Sequence, residues 1–357
     1  MDGSLDALGP LLGLLRPLGW AYGAANVLRR AAYRRGFCPS QQVGVPVVSV
    51  GALTCGGSGK TPIAALIAER LLLRGLRVGV VHGGYRGAAA SRTLRVEDPP
   101  PGAAGWYGDE PVWLARRLPQ AVVVRGPDKR AAAALAVAAG AQVVVVDDGF
   151  QHLRLRRSLD LVLLDEDGPA APLPAGRGRE WASSARTASL LWWHGRAGAS
   201  PLAFERAGLP SDGSSHVSSR YQPQSLVGPD GAVLAPAASL RGRRVFVLAG
   251  VARPQAFLQL VRRCGGQLVG QALARDHGLW SARAWRRAAA SAADLLLCTE
   301  KDLVRAETLA GAAELVALRC GVEILYGETA VDRALRGLTV AEGADPSACA
   351  GVEHGGS

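Results

Sequence analysis

The most constraining feature of this sequence is a glycine-rich loop between a β-branched stretch and an Ala/Leu-rich stretch. Residues 45–50 have the pattern of a buried strand, the loop ends in Gly59-Lys60-Thr61, and residues 62–74 have the pattern of a helix beginning at Pro62. Proline is tolerated in a first helical turn because its missing N–H group would have no intrahelical partner there. The order of strand, loop and helix predicts a phosphate-binding P-loop.

The predicted loop would supply ligands for a nucleotide and its magnesium ion. In a P-loop, backbone N–H groups and the helix N-terminus surround the phosphates. Lys60 is expected to neutralise the β- and γ-phosphates, and the Thr61 hydroxyl to ligate magnesium. The expected nucleotide-binding residues are Thr54, Gly56, Gly57, Ser58, Gly59, Lys60 and Thr61. Thr54 stands where the strict pattern has glycine, so a chance glycine-rich turn is the alternative interpretation.

A second apolar run ends in two acidic residues. Four valines at residues 143–146 are followed by Asp147 and Asp148. A buried strand that ends in a carboxylate is the second component of a P-loop nucleotide site, where it holds magnesium or a magnesium-bound water. Taken alone, the pattern also fits a capped turn. Together with the loop it predicts Asp147 and Asp148 as metal residues, and ATP and Mg²⁺ as cofactors.

Length and composition favour a globular chain with two α/β units. The chain has 357 residues, 48% of them hydrophobic, and a formal net charge of +11 that comes mainly from arginine. Such a charge favours phosphates, nucleic acid or an anionic membrane surface without choosing among them. The cysteines show no C-x-x-C pair and no zinc spacing, so a reduced compartment and no structural metal are expected. No signal peptide is expected either, because no positively charged segment precedes the first apolar stretch.

Strand-like and helix-like stretches alternate along the chain, which is typical of βαβ units around a parallel sheet. In the first unit the predicted strands are residues 45–50, 78–81, 121–124, 143–146 and 159–164, and the predicted helices are 62–74, 110–118 and 128–139. A Ser/Gly/Pro-rich stretch at 195–231 is the predicted linker or crossover. In the second unit the predicted strands are 244–248, 267–273, 294–298 and 322–326, and the predicted helices are 254–264 and 282–293.

These patterns predict an α/β chain with a three-layer P-loop NTPase core, a mostly parallel sheet, a smaller α/β domain and an N-terminal amphipathic helix. The predicted domains are a membrane-associating helix at 1–40, a P-loop core at 41–220, a smaller domain at 221–341 and a flexible tail at 342–357. Proline and arginine interrupt the first apolar stretch, so it lacks the roughly 20 residues of a spanning helix. Its aromatic residues and following arginines fit a helix in an anionic membrane interface, or an ordinary helix packed on the body.

Several motifs, in order along the chain, resemble the tetraacyldisaccharide 4'-kinase (lipid A 4'-kinase) family. They are Pro46-Val47-Val48-Ser49-Val50-Gly51, the loop at 56–62, Gly108-Asp109-Glu110-Pro111, Asp147-Asp148-Gly149-Phe150-Gln151-His152, Leu173-Pro174-Ala175-Gly176, Ala249-Gly250, Asp276-His277 and Thr299-Glu300-Lys301-Asp302. The resemblance implies transfer of the ATP γ-phosphate to the 4'-hydroxyl of an acylated glucosamine disaccharide 1-phosphate. It also implies the cytoplasmic face of the bacterial inner membrane, with peripheral or N-terminal attachment, and neither a nucleic acid nor an obligate protein partner.

The resemblance also assigns catalytic roles. Asp109 is expected to be the catalytic carboxylate and His277 its partner in a dyad that helps to deprotonate the sugar hydroxyl. Such a pair is chemically sensible, because hydrogen bonding to a carboxylate orients an imidazole and sets its basicity near neutrality. From the residues alone, Asp109 could instead cap its helix and His277 could be a surface residue.

The remaining motif residues are expected near the acceptor or the metal. The substrate residues that the resemblance implies are Tyr85, Glu110, His152, Arg179 and Glu180. An arginine can bind a phosphate through two parallel hydrogen bonds, although a solvated loop arginine is the simpler interpretation of Arg179.

The sequence departs from the family pattern at three positions. Gly83 stands where the family has arginine, with Arg86 three residues on; Gly278 replaces a second histidine, and Ala52 replaces an asparagine. These changes put full turnover or substrate handling in question. The competing function is a P-loop ATPase switch of the partitioning or metal-insertion type, which would have lysine where Cys55 stands. A nucleic-acid-binding function lacks interleaved aromatic residues.

Overall fold

The computed structural model describes residues 13–84, 87–164, 170–195, 215–309 and 314–338. Its strands are β1 (Val47–Ala52), β2 (Val78–His82), β3 (Leu94–Arg95), β4 (Val122–Arg125), β5 (Val143–Asp147), β6 (Leu159–Leu164), β7 (Leu190–His194), β8 (His216–Val227), β9 (Val233–Pro236), β10 (Arg244–Ala249), β11 (Gln267–Leu273), β12 (Leu295–Thr299) and β13 (Leu315–Tyr326). Its α-helices are α1 (Arg16–Arg34), α2 (Lys60–Leu73), α3 (Ala104–Tyr107), α4 (Asp109–Arg117), α5 (Lys129–Ala138), α6 (Pro254–Arg263), α7 (Ala282–Ala289), α8 (Glu300–Ala306) and α9 (Glu328–Arg336). Short 3₁₀ helices cover Ala182–Thr187 and Ala237–Leu240.

The described strands form one mixed sheet. Its order is β11-β10-β12-β13-β8-β7-β6-β1-β5-β2-β4-β3, and β9 pairs with β8. Among these strands, the antiparallel neighbours are β13 with β8, β8 with β9, and β3 with β4. The long pair of β8 and β13 therefore joins a parallel N-terminal half-sheet, made of β1, β2 and β4–β7, to a parallel C-terminal half-sheet, made of β10–β13.

Helices cover both faces of the N-terminal half-sheet. Val48 of β1 packs in one core cluster with Ile63 and Ile67 of α2. Its neighbour Val47 packs in a different cluster with Ala132 of α5. This alternation arises because successive strand side chains point to opposite faces of a sheet. Two helical layers with a mostly parallel sheet between them confirm the predicted α/β class.

The C-terminal half-sheet is also covered on both faces. Val245 of β10 packs with Phe257 of α6, whereas the next residue, Phe246, packs with Trp280 on the other face. The predicted strands and helices of both halves are present, with ends that differ by a few residues. The main exception is β13, which begins at Leu315 rather than at residue 322.

The prediction of a linker or crossover at 195–231 is wrong where β8 stands. This strand contains serine, glutamine and Pro223, which are poor strand formers. Its ends are nevertheless buried, and it pairs with β7, β9 and β13. Pro223 faces Cys320 at a register shift in the ladder, where a missing N–H group is tolerated. The pairing of β8 with its neighbours has therefore outweighed the weak strand preference of its residues.

The domain boundary at 220/221 stays a prediction, because one sheet crosses it.

Helix α1 has an unusual distribution of side chains. Its face toward the body carries Gly19, Gly23, Asn26 and Arg30, at the i, i+4, i+7 and i+11 positions of one helical stripe. The exposed side chains include large apolar ones, namely Leu18, Trp20, Tyr22, Val27 and Leu28. No helix within the described ranges combines the length and the apolar character that a membrane span requires.

Candidate active site

One cleft collects the carboxyl ends of strands from both half-sheets. Its volume is about 410 Å³, and it is lined by the loop after β1 and by residues that follow β2, β5, β10 and β12. Ligands bind at such strand ends in open α/β sheets, because the following loops and helix N-termini converge there. The cleft is therefore the candidate active site.

The glycine-rich loop has the backbone of a phosphate-binding turn. Gly56 and Gly59 have φ angles of +111° and +79°, which favour glycine, and α2 begins directly after Gly59. The Lys60 ammonium lies 3.3 Å from Ser58 Oγ and 3.7 Å from Asp148 Oδ1. Residues 56–61 all line the cleft. The predicted order of strand, loop and helix is thus present, with a lysine at the start of the helix.

Asp147 and Asp148 end β5 in very different environments. Asp147 is only 1% exposed, and neither of its carboxylate oxygens has a hydrogen-bond partner among the described residues. Burial raises the pKa of Asp147. Asp148 has a φ angle of +55° and accepts hydrogen bonds of 2.8 and 2.9 Å from Arg179 Nη1. Asp147 Oδ2 lies 3.6 Å from His82 Nε2, and its carboxylate oxygens can still ligate a cation, whereas the Asp148 carboxylate is already paired with the Arg179 guanidinium.

Glu110 is the centre of a polar cluster beneath the loop. Its Oε2 atom lies 2.8 Å from His82 Nε2, and its Oε1 atom accepts a 3.2 Å hydrogen bond from Thr61 and another from Lys301. Burial alone would raise the pKa of Glu110, but the charges of Lys301 and His82 hold it well below its usual value. Since Lys301 is on α8, this cluster ties the two half-sheets together across the cleft.

The structure brings Asp109 and His277 together. Asp109, the first residue of α4, is 7% exposed, and its Oδ2 atom lies 2.7 Å from His277 Nδ1. The His277 backbone has a φ angle of +60°, which is uncommon outside glycine. Arg305 Nη1 lies 3.4 Å from the same carboxylate oxygen. The two residues are 168 positions apart in sequence, so only the fold pairs them.

The pKa of Asp109 is lowered and the pKa of His277 is raised, so each shift favours the charged form of its residue. Burial raises the pKa of Asp109, but the hydrogen bond and charge of His277, together with Arg305, outweigh it and lower the pKa. The hydrogen bond to Asp109 is the main cause that raises the pKa of His277. An ionised Asp109 is an acceptor only, so the Nδ1–H group of His277 donates to it. In neutral His277, Nε2 then has the free lone pair.

Some predicted residues lie outside the cleft lining. Thr54 forms an isolated β-bridge with Gly178. His152 is another such residue, and burial lowers its pKa to about 4. Glu180, 1% exposed, accepts hydrogen bonds from Arg30 of α1. Its carboxylate anchors α1, and its predicted contact with the substrate stays a prediction.

Arg179 and Tyr85 are the two remaining predicted substrate residues. Arg179 lines the cleft, but its guanidinium is paired with Asp148. Tyr85, like the neighbouring Arg86, lies outside the described residues. The structure therefore gives no position for the predicted Tyr85 contact.

The sequence reasoning gave no role to several cleft residues. They are His82, His194, Tyr221, Lys301 and Arg305. Lys301 stands inside one of the recognised motifs and Arg305 follows it by one helical turn, so both carried a signal. His82 directly precedes Gly83, one of the departures from the family pattern, and no local pattern pointed to His82 itself.

The donor set fits a magnesium ion that also binds phosphates. Within the described ranges, no group of three or more His, Cys, Asp or Glu side chains could hold a metal ion by itself. Magnesium is usually held by one or two carboxylates together with waters and substrate phosphates. The buried Asp147 carboxylate and the Thr61 hydroxyl beside it agree with such a partial site.

Comparisons with known proteins agree with the motifs. The profile of the family described as LpxK, tetraacyldisaccharide-1-P 4'-kinase, matches residues 11–339. A tetraacyldisaccharide 4'-kinase from Anaeromyxobacter dehalogenans is 42% identical over 351 residues, covering 92% of this chain and 91% of that protein. One from Geobacter sulfurreducens is 38% identical over 299 residues, covering 80% and 81%.

A solved structure has a similar fold. It is the crystal structure of the "apo" form of LpxK from Aquifex aeolicus in complex with ATP, which is 26% identical to this chain with a TM-score of 0.72. The match covers 91% of this chain and 99% of that one. The similarity therefore extends over both half-sheets and the cleft between them.

Proposed function

This chain belongs to the tetraacyldisaccharide-1-P 4'-kinase family and is an ATP-dependent kinase of lipid A biosynthesis, and from this premise we propose that Asp109 and His277 are its catalytic base. The observation that carries the proposal is their 2.7 Å contact in the same cleft as the glycine-rich loop. The acceptor is the 4'-hydroxyl of tetraacyldisaccharide 1-phosphate, and the donor is the γ-phosphate of ATP.

The dyad would act by orienting and then removing a proton. Asp109 holds the Nδ1–H group of His277, which leaves Nε2 to accept the hydroxyl proton as the oxygen attacks the γ-phosphorus, while the bond from that phosphorus to the bridging oxygen breaks and ADP leaves. Asp109 also stabilises the imidazolium that forms. Arg305, on α8 beside the C-terminal half-sheet, partly neutralises the Asp109 carboxylate and helps to hold it in position. Both halves of the fold are thus required for one proton transfer.

The loop would bind and orient the triphosphate. Backbone N–H groups of residues 56–61 and the N-terminus of α2 favour anions, and Lys60 leaves its contact with Asp148 to neutralise a phosphate oxygen. Asp147 and Thr61 would hold magnesium, which when bound neutralises charge on the phosphates. Glu110 keeps Thr61 in place through its 3.2 Å hydrogen bond.

The exposed apolar side of α1 supports membrane contact. Leu18 and Leu28 are 59% and 71% exposed, while the glycine side of the helix faces the body. An exposed apolar face beside arginines suits an anionic interface. Replacing both leucines with glutamate should lower co-sedimentation with anionic vesicles at least several-fold, with activity in detergent unchanged. Leu234→Glu, another exposed site, is the control; equal losses would exclude a specific role for α1.

Lipid-dependent turnover tests the reaction class. We expect transfer of label from γ-labelled ATP to detergent-solubilised tetraacyldisaccharide 1-phosphate, with little ATP consumption when the lipid is absent. An ATPase switch would consume ATP without forming labelled lipid. The same assay shows whether Gly83 and Gly278, at two of the three departures from the family pattern, permit turnover.

A further inference from the structure

A buried histidine beside the glycine-rich loop has no role in the reaction described above. His194, the last residue of β7, is 5% exposed and lines the cleft. Its Nε2 atom is buried and has no hydrogen-bond partner among the described residues. An unpaired buried polar atom costs free energy, which makes an absent partner the first explanation to test.

A chain of hydrogen bonds orients the ring of His194. Trp192 Nε1 donates to Ser219 Oγ at 2.6 Å, and Ser219 Oγ lies 2.9 Å from His194 Nδ1. An indole is a donor only, so it occupies one of the two Ser219 lone pairs and leaves the Ser219 hydroxyl able to donate its proton to His194 Nδ1. When Ser219 donates in this way, His194 Nδ1 is the acceptor, and Nε2 carries the proton as a donor.

His194 is neutral and lies against the loop. Burial lowers its pKa to about 4, and the charge of Arg253 acts in the same direction. A Cβ atom at Gly59 would lie 2.6 Å from His194 Cδ2 and 3.1 Å from Nε2, so the imidazole edge packs directly on this glycine. Tyr221 contacts the ring edge-on, with centroids 4.4 Å apart, and restrains its rotation.

We propose that the Nε2–H group of His194 donates a hydrogen bond to a phosphate oxygen of the bound nucleotide. The loop around Gly59 is where backbone N–H groups surround phosphates, so the nearest acceptor a ligand brings there is a phosphate oxygen. Ser219 is a positioning residue, because it acts on the nucleotide only through the tautomer of His194. This inference rests on nucleotide binding by the loop and adds a contact from β7.

Two variants of His194 separate the effect of losing the hydrogen-bond donor from the effect of changing the packing against Gly59. His194→Phe keeps a ring against Gly59 but removes the donor, whereas His194→Asn restores an N–H donor. We expect the Kd for ATP to rise about tenfold in His194→Phe, as for loss of one hydrogen bond to a charged acceptor, and less in His194→Asn. The Kd for tripolyphosphate should rise by a similar factor. Equal ATP affinity of wild type and His194→Phe would overturn the proposal, and so would a loss for ATP alone.

Two further measurements test the His194 proposal in the unaltered protein and test the nucleotide binding on which it rests. Nitrogen-15 NMR of the wild type should show the Nε2–H tautomer of His194 and a shift of that signal when a non-hydrolysable ATP analogue binds. An Nδ1–H tautomer, or no shift, would contradict the proposal. If wild type binds no ATP, or if Lys60→Ala binds equally well, nucleotide binding by the loop itself fails.

Discussion

Replacing Asp109 with asparagine tests the dyad directly. Asparagine has nearly the same shape and keeps one oxygen that can accept from His277 Nδ1, but it removes the negative charge. The contact is a 2.7 Å charge-assisted hydrogen bond to a carboxylate that is 7% exposed. The substitution therefore changes the electrostatics of the pair more than its packing.

The expected loss follows from the role of the pair. General base catalysis contributes about 10²–10⁴-fold to a rate, which corresponds to about 3–5 kcal/mol of barrier. Without the carboxylate, the pKa of His277 loses its main raising cause, and burial, which lowers it, remains. The acidic limb of the kcat profile, where His277 becomes protonated, should move to lower pH while the plateau falls.

Stability should change with pH in a related way. The lowered pKa of Asp109 contributes stability above its ordinary value of 3.8, and this is lost as pH falls through the folded value. The raised pKa of His277 contributes stability below its ordinary value of 6.5, and this is lost as pH rises through the folded value. The penalty of Asp109→Asn on the free energy of unfolding should be largest between those two ordinary values.

Single-turnover transfer of label from ATP, followed across pH, is the appropriate assay. ATP affinity measured in parallel should stay within a few-fold of wild type, because Asp109 is not part of the loop. Asp294→Asn, at an exposed pair with Arg244, is the matched control. A loss smaller than tenfold, or an acidic limb that does not move, would refute the base assignment.

Two other ion pairs give further predictions. Glu110→Gln leaves Lys301, 25% exposed, without its carboxylate and should lower the free energy of unfolding by about 2–3 kcal/mol, measured by urea denaturation. The additional change Lys301→Met should recover part of that loss, and no recovery would contradict the pairing. Glu180→Gln removes the buried partner of Arg30 and should speed hydrogen exchange in α1, while the exchange of β10 stays unchanged. Unaltered exchange in α1 would exclude anchoring by Glu180.

The sequence predicted the parts of the fold that local patterns encode. The loop before Lys60 and the valine strand before Asp147 are contiguous signals, and both contribute residues to the cleft at the carboxyl ends of the strands. The strand β8 was missed because its polar residues and Pro223 favour a loop locally. Its pairing with β13, about 90 residues later, is not readable from nearby residues.

The candidate site also depends on contacts between distant segments, which local sequence patterns do not reveal. The Asp109 and His277 pair was predicted only through resemblance, because a contact between residues so far apart has no local pattern. The links from Lys301 to Glu110 and from Arg30 to Glu180 also join distant segments. For Glu180, a motif position suggested a substrate contact that stays a prediction, while the fold pairs its carboxylate with Arg30 of α1.

The position of the new phosphate tests the central claim most directly. We would treat tetraacyldisaccharide 1-phosphate with ATP and the wild-type or Lys60→Ala protein and examine the lipid by phosphorus NMR. The account predicts a second phosphomonoester at the 4' carbon beside the unchanged 1-phosphate, formed by wild type and not by Lys60→Ala. A product phosphorylated elsewhere, or ATP hydrolysis with unmodified lipid, would contradict it.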